Sequence, residues 1–170
     1  ELRRLRITNS SRSQRTIEVT TYGEIVLAPP IADALHPAFS KLFVQTEILE
    51  RPAAILATRR RRSPEEVTPW LFQLMSIHGA RGGSGETRAS PISHETDRAR
   101  FVGRGRNLEL PQALDAPGPL SNTVGSVLDP VAASRCVLTI DPDQTVTVDV
   151  VVGMADTRDA CVAMASKYQD

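Results

Sequence analysis

The chain has 170 residues, enough for one well-filled core and too few for a second large domain. Its 20 basic and 20 acidic residues cancel, which removes the global attraction that nucleic-acid-binding and membrane-surface proteins use, so any anion recognition must be local. One Trp, two Tyr and four Phe leave little material for the exposed aromatic platform of a stand-alone glycan-binding module.

In chain order, Leu5 and Ile7 begin an alternation that stops at the turn formers Asn9-Ser-Ser-Arg-Ser13, which predicts a hairpin. The return run, Thr16 to Leu27, places Ile17, Val19, Thr21, Ile25 and Leu27 on one face. Glu18, Thr20, Tyr22 and Glu24 fall on the other, as in a half-buried antiparallel strand, and Gly23 predicts a bulge or kink midway. Pro29-Pro30 ends that strand, and Ile31 to His36 has room for a short helical turn before Pro37. Strands are expected at Leu42 to Leu49 and Ala53 to Thr58, around the break Glu50-Arg51-Pro52. Arg59 to Arg62, followed by Pro64, Glu65 and Glu66, reads as a solvated hairpin tip rather than a phosphate contact. Trp70 to Ile77 is apolar on both faces, so it is a central strand or a surface that a neighbouring domain covers, with Trp70 an interior anchor.

Gly79 to Ser90 is rich in Gly, Ser and Arg and reads as a mobile loop, and Pro111 to Ser121 is a second irregular stretch. Late in the chain Cys136, Leu138 and Ile140 alternate, Asp141-Pro-Asp-Gln144 turns, and Val146, Val148, Val150 and Val152 return in phase, predicting a hairpin. Asp156 or Thr157 can cap a helix whose stripe is Cys161, Met164, Ala165 and Tyr168. Many short strands with turn signals between them predict an all-β antiparallel sandwich over residues 1–155, followed by a C-terminal helix.

Signals for autonomous chemistry are sparse. His36, His78 and His94 are dispersed, without the pairing or spacing of a metal site, and no metal or other cofactor is expected. Gly79 to Gly85 lacks the Lys-Ser/Thr ending of a P-loop, Gly103-Arg-Gly105 lacks a third glycine, and no serine sits in a nucleophile elbow. Cys136 and Cys161 read as small buried hydrophobes in a reducing compartment, a better fit than a disulfide. No apolar run has the length of a membrane span, and Glu1-Leu-Arg-Arg-Leu-Arg6 lacks the core of a signal peptide. A start on Glu that opens directly in a strand pattern suggests a piece of a longer polypeptide.

The densest cluster is Glu95-Thr-Asp-Arg-Ala-Arg-Phe-Val-Gly-Arg-Gly-Arg106. Read as extended chain, it sends Arg98 and Arg100 to one side and Phe101 into a core, while Gly103 and Gly105 allow a turn. On a strand Glu95 and Asp97 share a face about 6.6 Å apart, a geometry open to paired-carboxylate chemistry, but local salt bridges to Arg98 and Arg100 are the better reading. Arg98, Arg104 and Arg106 suit either salt bridges to an adjoining domain or contact with a sugar or phosphate, since the guanidinium fork serves both.

This cluster resembles the motif Glu-Thr-Asp-Arg-x-x-Phe-x-Gly-Arg in the N-terminal β-sandwich of cyclic β-1,2-glucan synthetases and the related cellobiose and chitobiose phosphorylases, once grouped as glycosyltransferase family 36. Tyr22 to Pro30, His36 to Ser40 with Phe43 to Glu47, and Leu120 to Pro130 are similar to further blocks there, in the same order. The resemblance implies a large sandwich of the galactose-mutarotase-like supersandwich type, with residues 156–170 starting a helical linker to a catalytic barrel. It implies a non-catalytic role in making cyclic β-1,2-glucan, in which the barrel supplies the acid and inorganic phosphate is the co-substrate. Glu95, Asp97, Arg98, Arg100, Arg104 and Arg106 become candidates for substrate or interdomain contact, with β-glucan at the domain rim, the barrel as partner and a homodimer as a further implication. The parent would sit at the bacterial inner membrane with its enzymatic parts in the cytoplasm, and this domain would touch neither membrane nor nucleic acid. A linear-oligosaccharide phosphorylase is the alternative parent, and a non-enzymatic interaction sandwich the alternative class. An exposed apolar patch over Trp70 to Ile77, awaiting a helical domain, would separate the first class from the second.

Overall fold

A computed structural model describes residues 1–61, 63–79, 87–115 and 117–169. The strands are β1 (Leu2–Thr8), β2 (Arg15–Thr20), β3 (Gly23–Glu24), β4 (Val44–Leu49), β5 (Ala54–Arg59), β6 (Trp70–His78), β7 (Arg88–Ala89), β8 (Ser93–Asp97), β9 (Pro130–Ile140) and β10 (Thr145–Ala155). The α-helices are α1 (Pro30–Leu35), α2 (Pro37–Lys41), α3 (Arg98–Val102) and α4 (Arg158–Lys167), with a 3-10 turn at Gln112–Leu114.

Two antiparallel sheets face each other, as the alternating pattern requires. One has the order β1-β10-β6-β5-β4. The other is centred on β9, flanked on one edge by β2 and β3 in line and on the other by β7 and β8. Cys136, Leu138 and Ile140 of β9 meet Met75, Val146 and Val148 between the sheets, and Ile25, Val44, Ile55, Ala57 and Ala132 fill the same layer towards one end.

The double-sided apolar pattern of Trp70 to Ile77 has a specific cause. β6 is central, paired with β10 and β5, and α4 covers its outer face, where Phe72 and Leu74 pack with Val151, Cys161 and Ala165. The expected exposed patch is therefore absent at β6: the chain's own terminal helix supplies the cover, and Trp70 packs at its margin. Thr157 caps that helix, its hydroxyl accepting from the Ala160 N–H at 3.2 Å. Close approach of β10 to β6 depends on Gly153, because a Cβ there would run into the Phe72 ring. Cys136 and Cys161 are unpaired and buried in different layers, and burial pushes both thiols up to about 11.

Four sequence expectations are corrected here: two hairpins, a bulge and a solvated tip. Neither β1/β2 nor β9/β10 is a hairpin: β1 pairs with β10 and β2 with β9, so both connections are arches that cross between sheets. The in-phase valines of β10 do face Cys136, Leu138 and Ile140, but through side chains rather than a hydrogen-bonded ladder. The arches lie side by side, with the Asn9 N–H donating to the Gln144 carbonyl and the Asp143 N–H to that of Asn9. Buried Asn9 locks them, its amide donating to Ile140 O at 2.8 Å and Ser13 O at 2.9 Å. Gly23 makes no bulge, since Arg15 opposite Ile140 and Glu24 opposite Val131 are nine-residue steps on both strands. Arg59 is no solvated tip: it is buried at the end of β5, where its guanidinium donates to Ser40 O at 2.7 Å and stacks over Phe43. Arg62, and the part of the expected loop at residues 80–86, lie outside the described residues; Arg88 and Ala89 beyond it pair with β9.

Candidate functional site

The segment Glu95 to Arg106 is only partly extended. β8 runs against β9 until the register shifts: Glu95 faces Ala133 and Asp97 faces Pro130, two residues against three. There the chain turns into α3. Asp97, in a β conformation, is the N-cap, its carboxylate accepting from the Ala99 N–H at 2.9 Å. Gly103 ends the helix at φ 88, a backbone conformation that L side chains rarely adopt. Phe101 and Val102 are buried against Leu120 and Ala133 on the outer face of the second sheet, so the predicted anchoring of Phe101 is observed, by a helix rather than a strand.

That change scatters the arginines, because residues two apart in a helix point about 200° apart. Arg98 turns to Glu24 at 3.4 Å and Asp129 at 3.8 Å, and Lys41 joins both carboxylates at 3.6 and 2.8 Å. This four-charge cluster ties β3, α2, α3 and the start of β9 together. Arg100 approaches Asp97 at 4.0 Å and is mostly exposed. Arg106 pairs with Asp115 beside an open depression of about 510 Å³ lined also by Gly105 and Leu110. The exposed Arg104 side chain makes no ion pair or hydrogen bond among the described residues.

Glu95 behaves otherwise than its neighbours suggest. It is 1 % exposed and meets no arginine. One carboxylate oxygen accepts the N–H groups of Thr96 and Asp97, each at 2.9 Å; the other accepts the Ser121 and Thr123 hydroxyls, the latter at 3.3 Å. Four donors fill the roughly four lone-pair sites a carboxylate offers. Glu95 thus fastens the 121–123 loop to the end of β8, and the expected salt bridges reduce to Asp97 with Arg100. A small cavity of about 240 Å³ beside it is bounded by Arg100, Gln112 and Arg135.

Arg135 carried no signal, since an arginine at an outward position of a strand normally reaches solvent. It is 3 % exposed, held by Thr20 Oγ1 at 2.9 Å, Glu18 at 3.2 Å, and the carbonyls of Ala113 and Gly118. It pins the 113–118 loop over the sheet. His94, also buried, lies between the sheets with Nδ1 2.9 Å from Ser134 Oγ, and burial depresses its imidazolium to about 4. Among the described residues no three His, Cys, Asp or Glu side chains gather as metal ligands would, and no helix is long and apolar enough to cross a membrane.

Comparison with known proteins agrees with this architecture. Residues 1–170 match the family described as glycosyl hydrolase 94, supersandwich domain. Over 148 residues the chain is 38% identical to the cyclic beta-(1,2)-glucan synthase NdvB of Rhizobium meliloti (strain 1021). That match takes in 87% of this chain but spans 5% of the relative's length. With two antiparallel sheets and a C-terminal helix, and with a family match running from its first residue to its last, the chain belongs to the glycosyl hydrolase 94 supersandwich domain family.

Proposed function

We propose that this chain is the non-catalytic sandwich of a cyclic β-1,2-glucan synthase, supporting a phosphorylase-like barrel elsewhere in the same polypeptide. The family match over the whole chain carries the reading, together with its 38% identity to a glucan synthase twenty-fold longer than the matched segment. Within the chain, the two carboxylates suggestive of glycoside chemistry are both engaged: Glu95 holds a loop and Asp97 caps a helix. The barrel supplies the general acid, and inorganic phosphate attacks as co-substrate.

The arginine-bearing surface after α3 faces that barrel or its glucan. Arg104 is the residue we assign to this contact, because Arg98, Arg100 and Arg106 already have carboxylate partners. Exposed Ile31, Leu35 and Phe39 on α1 and α2 give the domain apolar surface suited to a covalently attached neighbour. α4, after docking on β6, begins the linker. The parent is held at the inner membrane with these domains in the cytoplasm, and a homodimer extends the same scaffold.

Intact parent supplied with β-1,2-glucan and phosphate should release glucose 1-phosphate. Arg104→Ala in it should lower turnover or loosen domain docking. Absence of release by the intact parent would overturn the assignment; unchanged kinetics and unchanged thermal unfolding in the variant would remove Arg104 from the contact.

A further inference from the structure

At the edge where β4 faces β8, the sandwich opens in a cleft of about 540 Å³, inside the range of small-molecule sites. It lies apart from the α3 arginines. Ile48, Ile92 and Val124 form its apolar wall, and Glu50, Asn122 and His94 its polar groups.

His94 is the unusual member. It is 2 % exposed, and among the described residues its ring hydrogen-bonds to Ser134 alone. Ser134 Oγ also lies 3.4 Å from Gln73 Oε1, and with its single hydrogen directed there it accepts from Nδ1. That arrangement places the proton on Nδ1 and leaves Nε2 an acceptor with no hydrogen-bond partner among the described residues. Burial keeps the ring neutral, so this lone pair persists at physiological pH.

Asn122 is held opposite. Its backbone N–H donates to His94 O at 2.8 Å and its Oδ1 accepts the His94 N–H at 2.7 Å. This fixes the residue at φ 54 and leaves the amide N–H₂ as the cleft's donor. Glu47, at the mouth, is neutralised by Arg158 at 2.7 Å, so among the described lining residues Glu50 is the charge left without an ion pair.

We propose that this edge cleft is a saccharide-binding site, taking one pyranosyl unit whose hydroxyls meet His94 Nε2, Glu50 and the Asn122 amide while its C–H face lies on Ile48, Ile92 and Val124. Such a ligand combines hydroxyl donors with an apolar flank. An ammonium ion would leave the apolar wall unused and find one exposed carboxylate. Without an aromatic platform the site is weak, with Kd on the order of 1–10 mM. It would hold a glucan near the barrel without taking part in cleavage.

The experiment is titration of the ¹⁵N-labelled domain with a β-1,2-linked glucose disaccharide to about 50 mM, at least about fivefold above that Kd, following the His94 ring nitrogens and Asn122 by NMR. A saturable shift centred on His94 Nε2 is expected, with binding about tenfold weaker in His94→Phe. Asn122→Gly suits the positive φ but removes both the amide N–H₂ and the Oδ1 that accepts the His94 N–H, and should also weaken binding severalfold. Binding of cellobiose or maltose at the same residues would support a site for sugars other than β-1,2-glucan. No shift with any of the three, or displacement of the sugar by methylammonium, would overturn the site while leaving the scaffold role standing.

Discussion

Stability should fall between pH 7 and pH 5, and His94 should be the cause. Buried between the sheets, its imidazole titrates at about 4 instead of 6.5, because desolvation penalises the charged ring. The sign follows from proton uptake: below pH 6.5 the unfolded chain takes a proton that the folded one refuses until about pH 4. The contribution is complete above pH 6.5, declines as pH falls through that window, and is spent below about 4. Across the whole window it amounts to about 3 kcal/mol, and at pH 5 to about 2 kcal/mol. For a chain of this length 2 kcal/mol corresponds to a fall in Tm of about 4–8 °C. Asp149 does not confuse the measurement, since Arg4 holds its carboxyl below the ordinary 3.8 and its contribution is lost only in stronger acid. Urea unfolding at pH 7.5, 6 and 5, followed by circular dichroism, reads the effect. His94→Asn keeps a hydrogen bond to Ser134 without a titrating ring, and should be less stable at pH 7.5 but flat to pH 5. An equal slope in both proteins would refute the argument.

Asn9→Ala should cost about 1–3 kcal/mol, because it leaves the buried Ile140 carbonyl without its donor and unlinks the two arches, and faster amide exchange at Asp143 should accompany it. A loss below about 0.5 kcal/mol in urea would refute the lock. Gly153→Ala should destabilise by about 1–3 kcal/mol by driving Cβ against Phe72, with Phe72→Leu recovering part of the loss in a double-mutant cycle. Truncation after Ala155 should expose Phe72 and Leu74 and bind a hydrophobic dye, whereas a well-folded, dye-silent product would show that α4 is not part of this core.

Strands β4, β5 and β6 were legible in the sequence to within two residues, because alternation reports which side chains face a core, whereas β7 fell in an expected loop and β9 begins six residues before the Cys136 alternation. Pairing was not legible. The in-phase residues of β9 and β10 look the same whether two strands share a ladder or face each other across a sandwich, and Asp141-Pro-Asp-Gln144 suits either connection. At β6 the apolar outer face announced a cover correctly, but nothing in that segment says that α4 provides it. The helix at Arg98–Val102 did leave a signal: Asp97 as a cap followed by Gly103 just past the last turn, masked by the alternating arginines that suggest a strand. Burial of Glu95, Arg59 and Arg135 left none, since their partners come from distant loops and strands. The arginines are what mark this segment in the sequence, whereas Glu95, whose hydroxyl partners lie on the 121–123 loop, reads there as one more surface charge.

The most direct test of the whole account is the chemistry of the purified 170-residue domain given β-1,2-glucan and phosphate, beside the intact parent at equal molarity. Glucose 1-phosphate should appear with the parent and stay at background with the domain; turnover by the domain itself would contradict a supporting role.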